Sequence, residues 1–437
     1  MALTKLSTDG FKDDSVTDAK LANAINSAVA ANTAKDLTAL SASNLTSGTI
    51  PDARLPATLP AISGANLTDL PASGKATNLV INGAMNVAQR GTSSTSSGYQ
   101  TIDRFLVMFD SGLTEAPTQS QISLTSSDTP YALGFRNAFR ITNGNQSSQD
   151  ANDYVLLRQK IEAQNMACSG WNYTSASSYV TLSFWVKASV AQTMYVRLLA
   201  EDSPGGEQYS FAFSATTSWT KITKTIPGAS GVVFNNDNGT GLNLHIIPFY
   251  GTSYTTSSHT NDVWEDQDGA DQLPDMANTW FSVNDATFDV TGVQLEVGDT
   301  ASDFAHEDYA TTLAKCKRYY QRSSDSANGT NYSLEASSYH SADGVHSFCK
   351  HNSYYDFHVF FECEMRTEPS FTIYGSSNEG DIHIEQVAVG SSQVDWNNNT
   401  THITTKGFFL RHIEDSYGTS GSGNGFGIFA YTVDAEL

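Results

Sequence analysis

Residues Tyr179 to Ala188 alternate without a break. Val180, Leu182, Phe184 and Val186 share one parity, and Thr181, Ser183 and Lys187 share the other. Such a stretch can bury one face only as a strand, because a helix would scatter the same side chains around its circumference. Thr193 to Leu199 repeats the pattern with Met194, Val196 and Leu198, and Trp219 to Ile226 and Leu242 to Phe249 read as further strands. Near the end of this region Phe288 and Val290 have one parity, whereas Val293, Leu295 and Val297 have the other. The switch falls at Thr291-Gly292, and a glycine at a parity break predicts a β-bulge or a bend. Only 16% of residues are charged, with Ser, Thr, Asn and Gly in their place. That composition favours short strands and turns over long helices, and the pattern predicts a β-sandwich.

The chain has 437 residues, enough for two or three domains. Its formal net charge is -22, which repels phosphate backbones and anionic lipid, so nucleic-acid binding and membrane insertion are not expected. The start, Met-Ala-Leu-Thr-Lys, lacks the apolar core of a secretory signal, and no run approaches the ~20 apolar residues of a membrane span. The expectation is synthesis in a cytoplasm and exit by another route, as for a virion component. Cys168, Cys316, Cys349 and Cys363 show no disulfide framework and read as mostly buried thiols.

Residues 1–75 are poor in large apolar side chains. Ser15-Val-Thr-Asp18 fits a capping box, and Leu21, Ile25, Ala28 and Asn32 follow the 4-3-4 spacing of a narrow coiled-coil seam. One such helix is marginal alone and implies partners; the alternative is a frayed helix. From Ser41 to Pro71, Asn44-Leu-Thr-Ser-Gly-Thr-Ile-Pro51 is echoed by Asn66-Leu-Thr-Asp-Leu-Pro71. Leu45, Ile50, Leu55, Leu59, Ile62, Leu67 and Leu70 punctuate this extended, proline-rich stretch. Three chains about one axis would bury them; a flexible linker, the other reading, would not need them evenly spaced. Beyond residue 325, Val345 to Cys349, Asp356 to Glu362 and Phe426 to Val433 read as strands, and the glycine-rich run Tyr417 to Gly425 as a loop. Phe357, Val359 and Phe361 lie on one face of their strand and Phe360 on the other, which suits burial inside an oligomer.

Four elements recur in a fixed order. Asn78 to Gly91 reads NLVINGAMNVAQRG, Asp103-Arg104-Phe105 follows, Asp289 to Gly298 reads DVTGVQLEVG, and Leu313-Ala-Lys-Cys-Lys-Arg-Tyr-Tyr320 comes last. The set resembles the carbohydrate-binding-like β-sandwich of bacteriophage tail fibres. The resemblance implies a mainly β protein: a trimeric N-terminal stalk with a short helix (1–75), a central jelly-roll β-sandwich (76–305), a connecting helix (306–325) and a smaller β-rich tip (326–437). The expected role is a homotrimeric virion tail fibre that binds host-surface glycans without catalysis. Its N-terminus would attach to a tail, baseplate or adaptor protein. The alternatives are a capsule or lipopolysaccharide depolymerase and a purely structural tail adaptor.

A search for chemistry finds no phosphate-binding loop, dinucleotide fingerprint, GxSxG elbow or HExxH. Glu201-Asp202 and Glu265-Asp266-Gln-Asp268 are the carboxylate pairs a glycoside hydrolase would draw on, although such pairs on loops are usually only solvated. Asp266, Asp268 and Asp271 form a candidate calcium loop that lacks a downstream bidentate Glu, and an acidic solvated loop is the plainer reading. No cofactor is required, and a structural calcium is the one ion considered. His346, Cys349, His351, His358 and Cys363 are dense, but their spacing matches no zinc pattern. Sugar sites use aromatic rings beside Asn, Asp and Gln. The candidates are Trp171-Asn172-Tyr173, Trp264 with Asp262 and Asp266, and, in the last domain, Tyr339, His340, Trp396, Asn397 and Asn398. Against each stands the reading of an aromatic wedged into a core.

Overall fold

The computed structural model describes residues 77–323, 345–347, 350–351, 354–374, 381–386, 390–395, 400–413 and 425–437. The stalk, its helix and its repeat, the glycine-rich loop and the candidates Tyr339, His340, Trp396, Asn397 and Asn398 lie outside them. Twelve strands precede the first long helix: β1 (Ser93–Ser94), β2 (Phe105–Phe109), β3 (Thr118–Ser123), β4 (Asn137–Thr142), β5 (Tyr154–Glu162), β6 (Tyr179–Ala188), β7 (Gln192–Ala200), β8 (Glu207–Ala215), β9 (Thr220–Pro227), β10 (Thr240–Tyr250), β11 (Trp264–Asp266) and β12 (Thr287–Val297). They form two antiparallel six-stranded sheets, ordered β1-β3-β4-β12-β6-β9 and β11-β8-β7-β10-β5-β2. A five-residue helix, α1 (Ala163–Ala167), follows β5.

The alternation seen in sequence becomes the core. Val180, Leu182, Phe184 and Val186 of β6 are wholly buried, as are Met194, Val196 and Leu198 of β7. Phe184 meets Phe213 of the facing sheet edge-on, 5.3 Å between ring centres, so the two sheets pack as a sandwich. The opposite face of β6 is also covered: Thr181 and Ser183 are buried, and Thr181 donates to the Gly298 carbonyl. The strand is therefore buried on both sides rather than half-exposed. The parity switch is a bulge. Pairing of β12 with β6 slips between Thr291 and Gln294, and Gly292 takes φ +63°, with no room for a Cβ against Phe135.

The sequence elements that carry the family resemblance are brought together by the fold. Asn78 accepts from Leu295 N and donates to the Val293 carbonyl, which stitches the first element to the third. Helix α2 (Tyr309–Lys317) is capped by Asp308, whose side chain accepts from Thr311 N. It ends a turn earlier than the sequence suggested, because Tyr320 belongs to a strand, β13 (Tyr320–Arg322). That strand lies inside the stretch expected to be a connector, yet it pairs within the C-terminal sheet.

The remaining strands are β14 (Val345–Ser347), β15 (Lys350–His351), β16 (Tyr354–Phe360), β17 (Ser370–Tyr374), β18 (Asp381–Gln386), β19 (Gly390–Asp395), β20 (Thr400–Thr404), β21 (Gly407–Ile413) and β22 (Gly425–Asp434). β22 is the hub, pairing with β13, β14, β17 and β18, while β15-β16-β21-β20 form a second sheet. Val359, Phe408, Leu410, Tyr431 and Val433 make this domain's core, with Phe361 against it and Phe360 83% exposed. Cys316 is buried, Cys363 half-buried and Cys168 exposed; these three are free thiols, and Cys349 lies outside the described residues.

The junction between sandwich and C-terminal domain is held by buried charge. Arg104, 1% exposed and at φ +71°, pairs with Glu436 and lies 3.4 Å over the Tyr319 ring. Arg90 bonds Asp434 at 2.9 Å and Glu436 at 3.3 Å, and stacks 3.7 Å over Tyr320. Arg318 grips Glu162 through two bonds of 2.9 and 3.0 Å. Burial alone would raise the Glu162 pKa, but the bonds from Arg318 and Tyr319 outweigh it and hold the carboxyl below its usual range. Removing one partner of such a buried pair costs about 3–5 kcal/mol, because the other charge is left without compensation. Glu436→Ala is therefore expected to lower the urea midpoint by an amount equivalent to about 3 kcal/mol or more, read by intrinsic fluorescence. An unchanged midpoint would show that the latch carries no load.

Candidate functional site

The second sheet turns one face to the core and the other outward, and the outward face is unusual. Its three middle strands β5, β10 and β7 place polar residues at alternate positions among apolar ones. Register fixes them in rows. Arg158, His245, Arg197 and Ser210 lie directly side by side across β5, β10, β7 and β8. Lys160, Asn243, Leu199 and Gln208 form the next row on the same face. A pairing slip between Ile246 and Phe249 turns Phe249 into the core and places Tyr250 opposite Tyr154. Tyr154, Tyr250 and Tyr254 then meet edge to edge or tilted, with centroid separations of 5.3 to 6.3 Å.

Arg158, Arg197, Asn243, His245 and the three tyrosines line a groove of about 330 Å³, together with Met108, Leu156, Leu199, Glu201, Gln267 and Gln272. One end is aromatic and aliphatic; the other is polar. The polar end is short of partners. His245 is 4% exposed and Asn243 fully buried, yet both ring nitrogens of His245 and the Asn243 Oδ1 accept or donate nothing. The Arg158 Nε and Arg197 Nη2 are likewise unpaired. A buried polar atom without a partner costs about 1–3 kcal/mol, so sheets avoid them. Among the described residues, five of the eight such side-chain atoms fall in this one groove.

The electrostatics follow from burial and from neighbouring cations. Burial, then Arg197, Arg158 and Lys160, push the His245 pKa well below its ordinary 6.5, so the imidazole is neutral. Burial also lowers the pKa of Arg197, whose Nε donates to Gln208 at 2.8 Å. Among the described residues Glu201 is the one carboxylate lining the groove, and it accepts from Asn243 Nδ2.

Beside the groove, Ser210, His259 and Asp271 fall in line. Ser210 Oγ is 2.6 Å from His259 Nε2, and His259 Nδ1 is 2.7 Å from Asp271 and 3.3 Å from Glu265. The arrangement has the outline of a nucleophile, base and orienting acid. Ser210 Oγ also lies 2.8 Å from Asn261 Oδ1, so its hydroxyl is held between the imidazole and the amide. Ser210 sits mid-strand, with its carbonyl bonded to Asp262 N. The trio pins the segment from Tyr254 to Asp275 to β8.

The sequence candidates lie mostly elsewhere. Trp171 is 3% exposed, its indole N–H donates to the Ser178 carbonyl, and it belongs to the main core with Phe234 beside it. Tyr173 packs edge-on against Phe234, while Asn172 is exposed and receives a bond from Thr174. Trp264 is half-buried, donating to the Pro227 carbonyl and leaning on Tyr209. Asp262 pairs with Lys224 at 2.6 Å, Asp266 is exposed on β11, and Asp268 accepts from Ala270 N. Among the described residues no group of three or more His, Cys, Asp or Glu is placed to hold a metal ion. The acidic segment does reach the groove, through Gln267 and Gln272. Of the carboxylates weighed for hydrolysis, Asp202 is tied to Asn235 and Glu265 to Gln208.

A larger cleft of about 600 Å³ lies near the junction, lined by Asn78, Glu296, Lys315, Arg318 and Tyr319 among others. Four of its polar side chains are already used: Asn78 by Leu295 and Val293, Glu296 by Ser302, Arg318 and Tyr319 by Glu162. Volume alone favours that cleft; unmet hydrogen-bonding capacity favours the groove on the second sheet.

No family model and no curated protein matches the chain. Among solved structures, it is similar to the enzymatically active domain of bacteriophage CBA120 tailspike protein 4, at 11% identity and TM-score 0.28, over 51% of this chain and 21% of that one. It is also similar to a family 11 carbohydrate-binding module from Clostridium thermocellum, at 12% identity and TM-score 0.24, over 47% of this chain and 95% of that one. The N-terminal cellulose-binding domain of a Cellulomonas fimi glucanase matches at 10% identity and TM-score 0.24, over 49% of this chain and 99% of that one. The chain thus spans about a fifth of the tailspike domain's length.

A neutral buried histidine carries a pH signature. The unfolded chain takes up a proton near pH 6.5 that the folded groove refuses, so stability is full above that value and falls below it. Between pH 7 and 5 the wild-type chain is expected to lose stability, at up to about 1.4 kcal/mol per pH unit. His245→Gln should flatten that slope in denaturant titrations at each pH; an unchanged slope would place the effect elsewhere.

Proposed function

We propose that the chain is a non-catalytic glycan-binding protein of the bacteriophage tail-fibre type, and that the groove on the second sheet is its sugar site. The observation that carries this reading is the cluster of unpartnered buried donors and acceptors on Arg158, Arg197, Asn243 and His245 beside three tyrosines. Sugars present hydroxyls on their rims and C–H groups on their faces, so they need this combination. The sheet holds the polar rows rigidly, so little ordering is lost on binding. In the fibre setting the site would be repeated by a homotrimer attached to a tail through its N-terminus. Modest affinity per site would then become high avidity on a host surface.

Two features support binding over cleavage. Glycoside hydrolysis uses two carboxylates flanking the scissile bond, and Glu201 stands alone in the groove lining. Ser210 sits in the middle of β8 with its hydroxyl held between His259 and Asn261. A purely structural adaptor would have no use for unpaired polar atoms in a buried groove.

The test is binding of the full-length chain to immobilised surface polysaccharides by interferometry. Asn243→Ala and Tyr254→Ala are each expected to weaken binding about tenfold, the equivalent of one hydrogen bond or one stacking contact. Ser210→Ala should leave affinity unchanged and release no acetate or reducing ends relative to wild type. Binding unaffected by both groove substitutions would remove the groove from the reading, and release of sugar ends by wild type alone would favour the depolymerase.

A further inference from the structure

We infer that the groove selects an anionic sugar, one bearing a carboxylate or a phosphate, which docks against Arg158 and Arg197 with the neutral His245 between them. This rests on the glycan-binding reading above and narrows it to a ligand class. Register sets Arg158 and Arg197 as cross-strand neighbours on either side of His245, so two guanidinium groups converge on one row of the sheet. Arg197 is only 2% exposed. Its one side-chain partner is the neutral Gln208, and its Nη2 is unpaired. The Nε of Arg158 is also unpaired.

The contrast within the molecule is informative. At the junction, Arg90, Arg104 and Arg318 each pair with a carboxylate, as does Arg140 with Asp289 at 2.7 Å. The chain is rich in acids, at 46 Asp and Glu against 24 Lys and Arg, so an unpaired buried arginine does not arise from a shortage of anions. A charge taken out of water without a counter-ion is costly unless a ligand supplies one. Lys160, half-buried in the neighbouring row, adds a third cation. Among the described residues Glu201 is the one carboxylate that lines the groove, and it is engaged by Asn243. The planar guanidinium fork suits carboxylate and phosphate oxygens through paired N–H donors. His245 contributes one N–H and one acceptor nitrogen, which suits an anion on one side and a hydroxyl on the other. The tyrosine end of the groove would carry the apolar face of an adjoining sugar ring.

The test uses the full chain and a panel of bacterial oligosaccharides in three arms: uronate-bearing, phosphate-bearing and neutral. The uronate members are also presented after carboxyl reduction, which converts –COO⁻ to –CH₂OH and leaves the ring otherwise intact. Isothermal titration is expected to show anionic members bound at least tenfold more tightly than neutral or reduced ones. That advantage should shrink when salt rises from about 0.05 to 0.5 M. It should also shrink about tenfold in Arg197→Gln and, should that variant misfold, in the half-exposed Arg158→Gln. The uronate and phosphate arms identify which anion is preferred. Equal binding of acidic and reduced members would overturn the anion inference while leaving the glycan reading intact. Binding of no member of any arm would defeat both.

Discussion

A guanidinium removed from water must meet an anion, and most of this structure can be read from where that demand is met and where it is not. At the junction it is met within the chain. Arg90, Arg104 and Arg318 answer Asp434, Glu436 and Glu162, and Tyr319 and Tyr320 cover the ions with their rings. This ties the last residues of the chain to the first strands of the sandwich across more than 300 positions of sequence. On the second sheet the same residue type is left without a carboxylate, in a groove shaped by three strands. The first arrangement joins the C-terminal residues to the sandwich; the second is the basis of the proposed glycan site.

The sandwich strands were legible in the sequence because period-two alternation has few other physical solutions. Tyr179 to Ala188 became β6 without a change of boundary, and the parity break at Thr291-Gly292 became a bulge because only glycine fits its φ and the close Phe135 ring. The helix boundary was less legible. Tyr319 and Tyr320 continue the helical spacing, but stacking on Arg104 and Arg90 together with pairing to β22 pulls them out of α2. The family-like elements at Gln89-Arg90, Asp103-Arg104 and Arg318-Tyr319-Tyr320 were visible as a set. That they meet at one junction was not, since nothing in their spacing says they touch.

The groove was missed for a similar reason. Its residues come from β5, β7 and β10, which are adjacent in the sheet but dispersed in sequence, and register alone brings Arg158, His245 and Arg197 into line. One signal did exist: Arg158 and Lys160, Arg197, and Asn243 and His245 interrupt otherwise apolar strands at alternate positions. Polar residues also occupy the second face of β6, but Thr181 there is bonded, whereas Arg158, Arg197, Asn243 and His245 hold unpartnered atoms; the tryptophans that drew attention, Trp171 and Trp264, donate their indole N–H groups to the Ser178 and Pro227 carbonyls.

The contrast between paired and unpaired arginines can be measured directly by following arginine Nε–Hε resonances in the NMR spectrum while an acidic oligosaccharide that binds is titrated in. The resonances of Arg158 and Arg197 should shift with saturation, and those of Arg90, Arg104 and Arg318 should stay where they are. Shifts confined to the junction arginines, with the groove pair silent, would contradict the assignment.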